Sequence, residues 1–412
     1  MMLPNGWKKV RLSELGTFSK GNGIKRDEAN SGSIPAIRYG EIYTTHNDYI
    51  KVFRSFISEK VAKEATLLKK GDLLFSCSGE TKEDIGKCVA FISDERAYAG
   101  GDIIILTPTI SCDSKYIGYL CNAFSVNQQR YRYAQGDSVV HISAESIGKI
   151  EIPFPPLNEQ KKIAETFSAW DNAIEKTEKL IEAKETQKKV LISNLTNGNT
   201  IEKFKLGNVV IDKSKWNKKC LKELGSFTKG QGIKREESYS GKIPAIRYGE
   251  IYTSHNEYVK DFYSFISEKV AKQSKQIKNG DLLFSCSGET KEDIGKCVAI
   301  VSDVVAYAGG DIIILSPKQK CNSMYMGFLL NSQPVNKQKY HSAQGDSVVH
   351  ISTESIGNIQ IYLPSLPEQN AIAEILSAAD KELTLLKQQL ENYKKQKQGL
   401  MQKLLTGEWR IK

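Results

Sequence analysis

The sequence predicts an α+β fold: two similar mixed α/β modules joined by two long helices that form an antiparallel intramolecular coiled coil. Three observations lead there. The chain has 412 residues, 40% hydrophobic and 26% charged, a globular balance at a length that exceeds one ordinary core. Nearly all of it is written twice. GDLLFSCSGETKEDIGKCVA at 71–90 returns unchanged at 280–299, and Trp7, Ile24, His141 and Glu159 recur 209 positions later as Trp216, Ile233, His350 and Glu368. Each copy then passes through a proline cluster into a stretch with heptad spacing.

The repeat is a pair of whole modules. From Leu12 to Ile150 roughly 70% of positions are identical between copies without insertion or deletion, over a unit far longer than a solenoid repeat. LKELGSFTKG, KIPAIRYGEIY and GGDIIILSP gather β-formers between Gly, Pro and Asn breaks and read as strands. SFISEKVAK and SMYMGFLLNS have helical spacing and are short. Strand pairing should stop at Ile152-Pro153-Phe154-Pro155-Pro156 and at Leu363-Pro364-Ser365-Leu366-Pro367. Proline lacks the ladder donor and restricts the residue before it.

Beyond the prolines each copy turns helical. In the second copy Ile372, Leu376, Ala379, Leu383, Leu386, Leu390, Tyr393, Leu400 and Leu404 step by four and three, interrupted at Lys397. The first copy keeps this seam through Ile163, Phe167, Trp170, Ile174, Ile181, Leu191 and Leu195, with Thr177, Lys184 and Lys188 on the same stripe. Thr196 with Gly198, and Thr406 with Gly407, supply stop signals. About 39 residues at 1.5 Å each make a rod of roughly 58 Å, too long to bury its seam on its own module. Pairing the two helices antiparallel about a pseudo-two-fold axis satisfies both seams, and the three polar residues then set the register at some cost in stability. The expected segments are a first module at 1–156, a helix at 157–197, a second module at 198–365, a helix at 366–407 and a tail at 408–412.

Lys and Arg total 58 against 48 Asp and Glu, and the resulting +10 favours a polyanionic partner. The start MMLPNGWKKVRL has no signal-type apolar core and no run reaches eighteen apolar residues, so a cytoplasmic protein without a membrane span is expected. Cys77, Cys88, Cys112, Cys121, Cys220, Cys286, Cys297 and Cys321 are then free thiols, and none forms a C-x-x-C zinc pair.

Catalytic readings fit poorly. A phosphate loop needs four residues between its glycines and a hydroxyl after the lysine. Gly79 and Gly86 are separated by six, and Cys88 follows Lys87. Asp72 with Glu80-Thr81-Lys82 has the carboxylate and lysine types of a magnesium-dependent DNA endonuclease, the alternative reading, though Gly71-Asp72 also reads as a turn. Ser76, Cys77 and Ser78 have no histidine nearby in sequence. The expectation is a non-catalytic chain that binds no metal or cofactor.

Binding suits the residues better. Candidates for DNA contact in the first module are Lys25, Arg26, Arg38, Tyr39, Lys82, Lys87, Arg132, Gln135, Ser138 and His141. Their counterparts are Lys234, Arg235, Arg247, Tyr248, Lys291, Lys296, His341, Gln344, Ser347 and His350. Cations beside aromatics clamp phosphates, and Arg, Gln and His read base edges. The long helices keep only about a third of their residues between copies, because a seam accepts any apolar swap that keeps the pattern. The modules keep twice that share, as surfaces held to one ligand would. Exceptions are Arg54 against Tyr263, Arg130 against Lys339, Arg132 against His341 and Tyr133 against Ser342.

Two such modules, each followed by Pro156-Leu157-Asn158-Glu159-Gln160 or Pro367-Glu368-Gln369 and a long helix ending near L-T-G, resemble the specificity subunit of type I restriction–modification systems over essentially the whole chain. The resemblance implies two target-recognition domains on double-stranded DNA and a bipartite site. It also implies two docked methyltransferase subunits that use S-adenosylmethionine, and restriction subunits that use ATP and magnesium. The helices would act as a ruler between half-sites. Members usually carry dissimilar modules; nearly identical ones, mounted antiparallel, imply a palindromic or near-palindromic target.

Overall fold

Each module folds around a four-stranded antiparallel sheet whose middle strands are covered on both faces. In the first module the order is Gly16–Lys20, Ile103–Pro108, Leu73–Ser76, Cys88–Ala90. Side chains alternate across it: Leu73, Phe75, Ile104 and Leu106 enter one core, while Leu74, Ile103 and Ile105 enter another. Two-sided burial is why GDIIIL and DLLF read as continuous apolar runs. The structure, a computed structural model, describes residues 3–411 apart from 80, 82–83, 135–139, 201, 289–293 and 346–348.

A second, mixed sheet runs Ser55–Ile57, Ile34–Ile37, Tyr98–Ala99, Thr66–Leu67, with its middle pair parallel. Two ribbons complete the module, Lys8–Arg11 with Glu151–Phe154 and Ser78–Gly79 with Val140–His141. The second module repeats this plan with two additions. Tyr258–Val259 joins its main sheet as a fifth strand, and a hairpin of Lys203–Leu206 and Val209–Asp212 precedes it, turning at Gly207 with φ of 56°.

Three local expectations change. SFISEKVAK opens as a strand, Ser264–Ile266, and only Glu268–Ala271 is helical, started by the Ser267 cap. Ser264 and Ile266 face inward and Phe265 outward, a strand alternation too short to separate from helical spacing. KIPAIRYGEIY is a strand only at Ile243–Ile246, after which Tyr248–Thr253 is helical. Pairing also continues through Pro153, opposite Lys9, and ends before Pro155. In a two-stranded ribbon each strand keeps an outer edge where the missing donor costs nothing.

The long helices are Leu157–Thr196 and Leu366–Leu405. Their starts explain the Glu-Gln placed just after the prolines. The Gln160 amide donates to Pro155 O at 2.8 Å and accepts from the Asp113 backbone N–H at 2.9 Å. Gln369 does the same with Pro364 and Asn322, at 2.9 Å each. Glu159 accepts from Trp7 Nε1 at 3.1 Å, and Glu368 from Trp216 at 3.2 Å.

The chain divides into two compact units, residues 1–178 with 389–412 and residues 179–388. Each holds one module, the start of the helix next to it in the chain and the end of the other helix. In the first, Ile163, Ala164 and Phe167 share the module core with Leu404 and Leu405. Beyond the core Trp170 packs edge-on to Tyr393 at 5.7 Å, and Glu178 pairs with Lys394 at 2.9 Å. In the second, Ile372, Ala373 and Leu376 share a core with Leu195, while Glu185 pairs with Lys387 at 2.6 Å. Within each unit rising numbers on one helix meet falling numbers on the other, so the pair is an antiparallel coiled coil whose ends sink into the module cores. Each such buried side chain contributes about 1.5–3 kcal/mol.

Candidate nucleic-acid interface

The basic pair Lys25-Arg26 comes directly after a strained residue. Ile24 and Ile233 both have φ of 58°, a left-handed conformation that a β-branched side chain rarely adopts. Burial holds it there. Ile24 packs among Ala36, Ile57, Ala62 and Tyr98, and Ile233 among Ala245, Ile266, Val270 and Ala271. The Gly23 carbonyl accepts from Gly101 at 2.9 Å, and Gly232 from Gly310 at 3.0 Å. From this fixed point Lys25 and Arg26, and Lys234 and Arg235, stand exposed at a 3-10 turn. The Lys25 and Lys234 amides donate to Glu28 and Glu237 at 2.7 and 2.8 Å. The sequence signal was an isoleucine directly after N-G and Q-G.

Arg38 and Arg247 cap short helices, their amides donating to Glu41 and Glu250 at 3.2 and 2.9 Å. Tyr39 lies against Tyr43, and the more exposed Tyr248 against Tyr252, with centroids 6.3 and 6.2 Å apart. His141 is exposed and oriented by Ser78, Oγ to Nδ1 3.0 Å; His350 and Ser287 repeat the distance. Gln344 exchanges both backbone hydrogen bonds with His350, at 3.0 and 2.7 Å. Arg132 and His341 are exposed near the ends of Phe124–Tyr133 and Gln333–Ser342. Lys82, Gln135, Ser138, Lys291 and Ser347 lie outside the described residues.

Lys87 and Lys296 differ from the other candidates. Both are half-buried, and their ammonium groups donate to the carbonyls of His46 and His255 at 2.6 and 2.7 Å. Burial lowers the Lys87 pKa. The His46 ring is pushed down to about 4 by burial, then by the charges of Lys87 and Arg54. Lys339, in the place of Arg130, is fully buried and pushed down to about 8 by burial. It donates to Leu330 O at 2.5 Å and Asn336 Oδ1 at 3.2 Å.

Two further clusters tie modules to helices. Lys397 contacts Asp171 at 2.6 Å and Asp48 at 3.6 Å, over the ring of Tyr119 at 5.2 Å. Lys188 contacts Asp380 at 2.5 Å and Glu257 at 2.9 Å, over Phe328 at 5.6 Å. The members occupy positions 209 apart: Lys188 with Lys397 and Asp171 with Asp380 are the same residue, while Asp48 is matched by Glu257 and Tyr119 by Phe328. Burial raises the pKa of Asp48 and Glu257. The lysine that interrupts one seam and the lysine that marks the other are thus a single device used twice.

Asp72, which the endonuclease reading needs as a metal ligand, is committed elsewhere. Its carboxylate accepts from the Lys69 amide and the Thr107 hydroxyl, both at 2.7 Å. Among the described residues no group of three or more His, Cys, Asp or Glu is placed to hold a metal ion, and no helix is long and apolar enough to cross a membrane. The eight cysteines are unbridged, and burial, then Asp102, pushes the Cys77 thiol up, away from nucleophilic use.

Comparison with known proteins gives one answer. The family model described as the type I restriction modification DNA specificity domain matches twice, at residues 4–185 and 213–394. The chain is 25% identical over 435 residues to the type I restriction enzyme MjaVIII specificity subunit of Methanocaldococcus jannaschii, covering 100% of this chain and 95% of that protein. It is 24% identical over 308 residues to the EcoKI specificity subunit of Escherichia coli, covering 72% and 64% respectively. The crystal structure of a type I restriction–modification S subunit from M. genitalium shares the fold, with a TM-score of 0.60 at 19% identity over 98% of each chain. With its duplicated modules and paired helices, the chain belongs to the type I restriction–modification specificity subunits, the DNA-binding and non-catalytic members of those systems.

Proposed function

We propose that the chain reads a bipartite DNA site whose half-sites are alike and inverted, palindromic or nearly so, around a spacer it does not read. One observation carries this. The exposed Lys25, Arg26, Arg132 and His141 and the half-buried Tyr39 recur as Lys234, Arg235, His341, His350 and Tyr248, the basic pairs and the two histidines on the same local supports, and the long helices run antiparallel within each unit. Equal readers so mounted favour an inverted repeat, as two-fold dimers do. Lys25 and Arg26 with Lys234 and Arg235 contact phosphates; Arg132 against His341 is where the half-sites differ, if they differ.

In this reading the paired helices set the spacer and present docking surface to two methyltransferase subunits, which bring S-adenosylmethionine. Restriction subunits would add ATP- and magnesium-dependent steps, and this chain itself binds no cofactor. The test is to map methylated adenines in a host carrying the complete system. Matching half-sites in inverted order are expected, and two unlike half-sites would overturn the reading.

A further inference from the structure

The helix pair raises a problem of partner choice that is independent of what the modules bind. Both helices carry similar seams, and both module cores accept equivalent side chains: Ile163 and Ile372 at one position, Leu195 and Leu404 at another. The inner ion pairs do not distinguish partners either. Lys188 meets Asp380 and Lys397 meets Asp171, but Asp171 is the counterpart of Asp380, and Lys188 of Lys397. Two first helices from separate copies, packed in this register, would form the same Lys188 to Asp171 pair. These contacts fix register and sense only.

The outer pairs behave differently. Glu178 pairs with Lys394 in the first unit, and Glu185 pairs with Lys387 in the second. Glu178 is the counterpart of Lys387, and Glu185 of Lys394, so at both positions the first helix supplies the acid and the second the base. We propose that this polarity is a recognition code: the first helix takes a helix of the second kind and rejects a second copy of itself. Paired with its own copy, the first helix would set Glu178 against Glu185 twice. The second helix would set Lys387 against Lys394 twice. Two more contacts point the same way. Trp170 lies on Tyr393, and Lys184 pairs with Glu382 at 2.8 Å. In a like-with-like pair Trp170 would face Lys184, and Glu382 would face Tyr393. Opposite charges at flanking positions select partners in coiled coils, and like charges exclude them.

The full-length chain allows a test at constant net charge. The variant E185K/K394E places like charges in both intramolecular pairs and opposite charges in both like-with-like pairs. The fourfold inversion E178K/E185K/K387E/K394E restores the intramolecular pairs with reversed sign. In low salt the first variant should lose about 3–6 °C in Tm, most of it recovered at about 0.5 M salt. It should also show a larger dimer fraction than the wild-type chain by light scattering at about 100 µM. The fourfold variant should regain the wild-type Tm and mass. Three results would each overturn the code: a wild-type Tm in E185K/K394E, no gain in its dimer fraction, or no recovery in the fourfold inversion. A folding failure in the double variant that the fourfold variant repairs would count as support, because the two carry the same net charge.

Discussion

The two modules agree on their exposed geometry and differ in what lies beneath it. The left-handed isoleucines share a φ of 58°, and the Ser78–His141 and Ser287–His350 contacts share a length of 3.0 Å. Under that common surface Arg130 becomes Lys339, Cys121 becomes Leu330, and Tyr119, whose hydroxyl donates to Asp171 at 2.5 Å, becomes Phe328. Arg54, one of the charges that lowers His46, becomes Tyr263, whose ring lies 5.3 Å from His255. Supports vary where several side chains fill the same space. Of the residues named as candidates for DNA contact only Arg132, replaced by His341, changes type between the copies.

The largest way to break this likeness is to empty one core. Phe167→Ala should cost about 3–5 kcal/mol and Leu376→Ala about 2–5 kcal/mol. Because these residues lie in separate cores, denaturant melts should show each loss in its own unit, resolved by hydrogen exchange. Next come the two lysine clusters. Lys397→Met or Lys188→Met leaves two carboxylates facing each other with little water, for about 2–4 kcal/mol. Burial already raises the pKa of Asp48 and Glu257, and without the lysine that opposes this each holds its proton still more tightly in the folded chain than in the unfolded one. Each variant should therefore recover stability relative to wild type as pH falls through the carboxylate range.

A smaller effect sharpens the comparison. His46 has a folded pKa of about 4 against an ordinary 6.5, so the unfolded chain takes up the proton first as pH falls. Stability from this group is complete above 6.5 and is lost between 6.5 and 4, on the order of 3 kcal/mol. His255 is lowered too, chiefly by burial, but Glu250 and Asp261 oppose the shift. Comparing acid melts of His46→Asn and His255→Asn with wild type should show the larger flattening in the first.

The repeat, the heptad seams and the Glu-Gln helix starts were legible because each is a pattern within one stretch of chain. Three features were not. Ser264–Ile266 is too short for its alternation to be told from a helical face. The partners of Lys397, Asp171 and Asp48, lie far away in sequence, so only the folded chain reveals that the interruption in the seam is an anchor. Lys87 and Lys296 carry the residue type that suits a phosphate clamp, yet side-chain type gives no sign that a carbonyl of the same module already holds each one.

In the proposed function the left-handed isoleucines bear on how the basic loops would meet DNA. A loop that must be ordered on contact spends part of its affinity on losing its own freedom. Here Ile24 and Ile233 are pinned during folding, against a backbone preference that only a packed environment can overrule. In the proposed function the neighbouring ammonium and guanidinium groups would start from a backbone already ordered, so little affinity would be spent on arranging the loop at contact.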